Sequence, residues 1–181
     1  MDKFIKSISG IVAIGSMIFM ASCKSNTDYA GVWETKSPVD VTIKMPPATS
    51  ATSVTTINIQ NDQQLTGGPV KLSNRFDIVD KDSLGAPITV TGVASIDGKW
   101  QVDVDDEDDV LMSFDMSTMK VELKGDSAKV AAWKPEVERL FREDVARYSV
   151  VEDVELKDNG KLMSLEINNP ETKVFFDRVE P

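Results

Sequence analysis

The densest chemistry in the sequence lies at residues 102–110, VDVDDEDDV, where six carboxylates fall between Asp103 and Asp109. Carboxylates at that density suit a calcium loop, an acid–base pair or a solvated turn. An EF-hand loop opening at Asp103 needs glycine at its sixth position and glutamate at its twelfth; the chain has Asp108 and Phe114 there. The flanking runs WQVDV and VLMSFD have strand character, so Asp105 to Asp109 read as a wet hairpin turn whose repulsion water and salt screen. A looser cation site built from several of these oxygens is the functional alternative.

Elsewhere the composition removes whole classes of chemistry. There is no histidine and one cysteine, Cys23. This excludes Ser-His-Asp and Cys-His catalysis, the common zinc sites and the usual near-neutral proton shuttle. Gly67-Gly68 is followed by Pro69, and neither Gly98-Lys99 nor Gly160-Lys161 has the upstream glycine or downstream hydroxyl of a phosphate loop. A pair of acids, as in glycoside hydrolases, is the enzymatic route left open. With 30 acidic residues in the chain, abundance singles out no pair. No catalytic residue, metal ligand or cofactor is therefore nominated, and the expectation is a protein that is not an enzyme. Met45, Met112, Met116, Met119 and Met163 read as core filler, with a soft pocket lining as the functional version.

The chain starts with Lys3 and Lys6 and continues into an apolar run from Ile8 to Met20, the pattern of a secretory signal. A bilayer-spanning helix needs roughly 20 apolar residues, more than this interrupted run supplies. Met20-Ala21-Ser22-Cys23 resembles the bacterial lipobox, with methionine where leucine is more usual. The resemblance implies cleavage before Cys23 and its acylation, which would also remove the oddity of a lone exported thiol. Lys24 rather than aspartate follows, which in that family implies the outer membrane of a Gram-negative envelope. Two or more acyl chains hold a protein stably on a bilayer where one holds it marginally.

The expected organisation is a signal peptide over 1–22, a lipid-anchored tether over 23–29 and one domain over 30–181. Loss of residues 1–22 removes Asp2, Lys3 and Lys6, so 30 acidic and 20 basic residues become 29 and 18, a net charge of −11. So acidic a surface repels phosphate backbones and anionic lipid heads, which argues against nucleic acid and leaves the lipid as the membrane link.

The elements that must position any site alternate with period two. Val39, Val41, Ile43 and Met45 share one face of an extended chain, as do Val70, Leu72, Phe76 and Ile78, then Ile88, Val90, Ala94 and Ile96, then Trp100, Val102 and Val104, and Met119, Val121 and Leu123. MPPATSAT, NDQQLTGGP and DKDSLGAP are turn-rich. Asp97-Gly98 suits a tight hairpin between Ile96 and Trp100, and Asp158-Asn159-Gly160 another before KLMSLEI. Residues 128–150 break the pattern: Val137, Leu140, Phe141, Val145 and Tyr148 fall at helical spacing, with Pro135 fitting a first turn. The fold expected is all-β and mainly antiparallel, a barrel or meander of about 8–10 strands with one amphipathic helix packed against the outside or one end of the sheet.

Gly31-Val32-Trp33 at the first strand resembles the Gly-x-Trp start of the lipocalin and calycin barrels, and the combination with a lipobox is similar to the lipocalin-like lipoproteins of Gram-negative bacteria. In that family the tryptophan closes one barrel end and a late arginine packs across it. Arg178, on one strand face with Val174 and Phe176, is the matching residue, so Gly31, Trp33 and Arg178 are the barrel-closure residues the resemblance implies. The helix precedes the final two or three strands, a departure from the lipocalin plan. The function implied is a lipid-anchored protein binding a small, partly apolar ligand through residues the sequence does not identify. The rivals are a non-catalytic accessory or interaction subunit of an envelope or nutrient-uptake assembly and, third, a carboxylate-dependent hydrolase.

Overall fold

Alternation of buried and exposed side chains organises the molecule. The structure, a computed structural model, describes residues 29–61, 67–102, 110–149, 151–168 and 171–179. Ten strands and one helix follow in chain order: β1 (Gly31–Thr35), β2 (Val39–Asp40), β3 (Ser50–Ile59), β4 (Gly67–Lys81), β5 (Pro87–Val102), β6 (Val110–Phe114), β7 (Lys120–Lys124), α1 (Ser127–Tyr148), β8 (Val151–Lys157), β9 (Leu162–Asn168) and β10 (Glu171–Val179). All pairings are antiparallel, in the order β6-β5-β4-β3-β1-β10-β9-β8. β6 and β7 lie end to end along β5, broken by a 3-10 turn at Met116–Thr118 that the Asp115 carboxylate caps. The result is a nearly closed barrel of 8 strand positions whose seam lies between β6 and β8.

β4 shows why the sheet curls. Its 15 residues bury Val70, Leu72, Asn74, Phe76, Ile78 and Asp80 and turn the residues between them outward. A strand of that length spans about 50 Å and must coil to keep one face on a core. The hairpin to β5 is tied by Asp82, whose Oδ1 accepts from the amides of Leu84 and Ala86 at 2.8 and 2.7 Å.

The barrel interior is filled by the protein itself. At the end where β1 begins, Trp33 and Trp100 are fully buried with Ile57, Leu72 and Ile96 around them. The Trp33 indole N–H donates to the Tyr29 carbonyl, the Trp100 indole to the Gln60 carbonyl, both at 2.9 Å, and the Tyr29 and Trp100 rings meet edge to face. Toward the other end lies α1, capped by Asp126 accepting from the amides of Ala128 and Lys129. Its buried stripe is Trp133, Val137, Leu140, Phe141, Val145 and Tyr148. The helix's polar partners Asp80 and Asn74 sit on the inner face of β4, so α1 packs against that part of the barrel with its buried stripe inward. Helix and barrel side chains form one hydrophobic cluster.

Four details differ from the alternation pattern. Val39–Met45 is no continuous strand: Asp40 Oδ1 accepts from the Thr42 amide at 2.9 Å and bends the chain into a 3-10 turn, leaving Ile43 97% exposed. The turn-rich reading of MPPATSAT runs too far, because Ser50 to Thr52 open β3, which lies between β1 and β4. Asp97-Gly98 makes no hairpin and sits inside β5, where Gly98 pairs with both Val70 and Phe114. A Cβ there would come within 2.3 Å of the Ser113 carbonyl oxygen, so the glycine serves close strand approach. Pro135 lies in the helix interior. Its ring faces solvent, and buried Trp133 and Val137 hold the turns on either side across the missing N–H bond.

Candidate functional site

Gly31, Trp33 and Arg178 come together at one end of the barrel. β1 and β10 are neighbours with Trp33 paired to Arg178, and the Arg178 guanidinium carbon lies 4.5 Å from the Trp33 ring centroid. Gly31 adopts φ +149, a conformation that L side chains rarely take, and a Cβ there would meet the Arg178 guanidinium at 3.6 Å. A cation stacked over an indole contributes about 0.5–2 kcal/mol.

A pocket opens elsewhere on the described residues. A half-open pocket of about 260 Å³ lies where the last turns of α1 cross the mouth between β1, β2, β3 and β10. Its floor comes from the inner face of the sheet, with Thr35 on β1 and Ser53 and Thr55 on β3. Its roof comes from Leu140, Asp144, Arg147 and Tyr148 of α1. Val39, Asp40, Val41 and Lys44 form one rim, Thr172 and Val174 the other. The walls are more apolar than polar.

The polar groups differ in how fully they are engaged. The Thr55 amide donates to Thr35 Oγ1 at 3.2 Å. Tyr148 and Thr55 share a hydrogen bond through their hydroxyls, and burial, helped by the Asp144 charge, pushes the Tyr148 phenol up to about 12, so it stays a neutral hydroxyl. The Asp144 carboxylate accepts from Asn74 Nδ2 at 2.6 Å and lies 3.7 Å from the Arg147 guanidinium; burial nonetheless holds it above the usual carboxylate range. Asp40 on the rim is lowered by its hydrogen bonds to Thr42. Ser53 is the exception: only 4% exposed, its Oγ has no hydrogen-bond partner. A buried hydroxyl without a partner is costly, and such groups mark where a ligand or water completes the network.

The arrangement suits binding more than turnover. Asp40 and Asp144 have pKa values pushed in opposite directions, as acid–base pairs do. Both are tied by existing hydrogen bonds, Asp40 to the Thr42 amide and Asp144 to Asn74. Among the described residues no three metal-ligating side chains cluster. The carboxylate run at 103–109 and Cys23 lie outside the described residues.

Sequence reasoning nominated no ligand contact, yet two signals mark the pocket. Ser53 and Thr55 are hydroxyls on a β3 face otherwise made of Ala51, Ile57 and Ile59. Asp144 interrupts the apolar stripe of α1 between Phe141 and Val145. Polar residues on a core-facing stripe break the local rule, and such breaks concentrate at functional sites. Compared with known proteins, the chain matches no family model and no curated protein.

Proposed function

We propose that this protein is a lipid-anchored outer-membrane lipoprotein whose lipocalin-like barrel binds a small, partly apolar molecule in the pocket beneath the last turns of α1. The observation that carries the binding reading is that pocket, with its buried, unpartnered Ser53 hydroxyl in a largely apolar wall. The lipocalin-like assignment is supported by the contact of Trp33 with Arg178 beside Gly31. The anchor is supported by Lys3, Lys6, the apolar run to Met20 and the small residues before Cys23. Lys24 favours the outer membrane on the family rule for lipoproteins.

Native mass spectrometry of the protein purified in mild detergent from its own host tests the binding reading. A reproducible non-covalent adduct is the expected result; a clean apo mass overturns it. Replacing Cys23 with serine is expected to abolish incorporation of labelled fatty acid, and continued labelling defeats the anchor. The second reading, an accessory subunit of an envelope or nutrient-uptake assembly, is favoured by the single packed core that α1 and the barrel share. An envelope protein co-purifying with an apo chain would select it.

A further inference from the structure

We propose that the pocket takes a small neutral hydroxylated molecule, of the size of a monosaccharide or cyclic polyol, bound against Ser53 and Thr55. This rests on the binding reading above and adds the chemical class of the ligand.

Size sets the first limit. Pockets for drug-sized ligands run to roughly 300–1,000 Å³, and this one is about 260 Å³. Charge sets the second. Two cations, Lys44 and Arg147, face two anions, Asp40 and Asp144, so the lining carries no net charge. Each of these groups is also engaged inside the protein: Arg147 with Asp144 at 3.7 Å, Lys44 with Glu143 at 4.0 Å, and Asp40 with the Thr42 amide at 2.9 Å. An ionic ligand would have to displace one of these partners, whereas a neutral one leaves the balance intact.

The hydroxyl pattern then selects among neutral molecules. Ser53 Oγ is one donor and two acceptor sites, all unused in the protein. An apolar ligand would leave that buried hydroxyl without a partner. A ligand hydroxyl both donates and accepts, and so answers Ser53 in either direction while its neighbour reaches the Thr55–Tyr148 pair. The C–H face of a ring or polyol chain meets Leu140 and Val174 on the opposite walls.

The test is a titration of the isotopically labelled full chain in mild detergent, following the amide signals of Ser53, Thr55 and Tyr148. The probes are myo-inositol and glucose as neutral molecules, with gluconate and glucosamine as charged counterparts. The expected result is a saturable shift from a neutral probe, with affinity at least about tenfold above either charged one, reduced about tenfold or more in Ser53→Ala. The circular-dichroism spectrum and melting of that variant check that it is folded. A charged probe that binds the same residues as tightly overturns the ligand class and leaves the pocket standing. No saturable shift from any of the four probes also overturns the class, and the native mass spectrum then decides separately whether the pocket binds anything.

Discussion

Ser53→Ala separates stability from binding, because the two should move in opposite directions. Ser53 is 4% exposed and its Oγ has no partner. Burying a hydroxyl in that state costs about 1–3 kcal/mol. Alanine removes the hydroxyl and leaves a void of roughly 15 Å³, which at about 24 cal/mol per Å³ returns roughly 0.4 kcal/mol of that gain. Taking the lower end of that range, the net gain is about 1 kcal/mol. For a domain of this size that is a rise in Tm of about 2–4 °C. Urea unfolding should show a higher midpoint with an unchanged slope, since the surface exposed on unfolding hardly differs. With saturating ligand the order should reverse, because only the wild type keeps the full linkage stabilisation. An unfolding free energy lowered by about 1 kcal/mol or more in the apo protein would refute the reasoning, since it would mean that Ser53 Oγ is already bonded in the fold.

Three further outcomes follow from the helix and its partners. Phe141→Ala empties a fully buried position on α1 and should cost about 3–5 kcal/mol, seen as a matching loss in urea unfolding free energy. Asp80→Asn removes the carboxylate that takes Lys129 Nζ at 2.8 Å and the Trp133 indole N–H at 3.2 Å, and should cost about 1.5–3 kcal/mol at pH 7. Lys129 first, then the Lys81 amide, hold Asp80 below its ordinary 3.8, so its stabilisation is complete above 3.8 and lost as pH falls through the lower folded value. The gap between wild type and Asp80→Asn should therefore stay flat above that pH and close below it. Asp144 has the opposite sign: burial raises it above 3.8, so its ionised form weighs on the fold at neutral pH and the penalty fades as pH falls through the raised value. Asp144→Asn should be more stable than wild type at pH 7, with the advantage vanishing toward pH 3.8; an advantage that persists at low pH would show that charge is not its cause.

The readable parts of this sequence were those in which a local rule met no competitor. The α1 stripe through Val137, Leu140, Phe141, Val145 and Tyr148 is a pure 3.6-residue pattern, and all five are buried. The turn at Asp158–Gly160 uses residues that tolerate positive φ, and Asp158, Asn159 and Gly160 have φ of 50, 56 and 79. Asp97-Gly98 carries the same chemistry and failed as a hairpin, because the glycine answered a demand for close packing that only the third strand, β6, imposes. β3 was obscured because Ser50, Thr52, Ser53, Thr55 and Thr56 look like loop hydroxyls until neighbours on both sides make Ser53 and Thr55 face inward. The pocket was out of reach for a related reason: its walls come from β1, β2, β3, β10 and the end of α1, segments that only barrel closure brings together.

That closure also dictates an order of assembly. β1 takes β3 on one edge by contact within the first 59 residues, but its other edge waits for β10, with Val32 paired to Val179. A chain made N-terminus first carries that open edge until β10 has emerged, and pays a long loop closure to join β1 to β10. Among the described residues, β10 is also the strand through which the β8–β9 hairpin joins β1 in the ladder order. A chain without β10 would lose a keystone rather than a fringe, baring the edges of β1 and β9 that it covers in the nearly closed barrel.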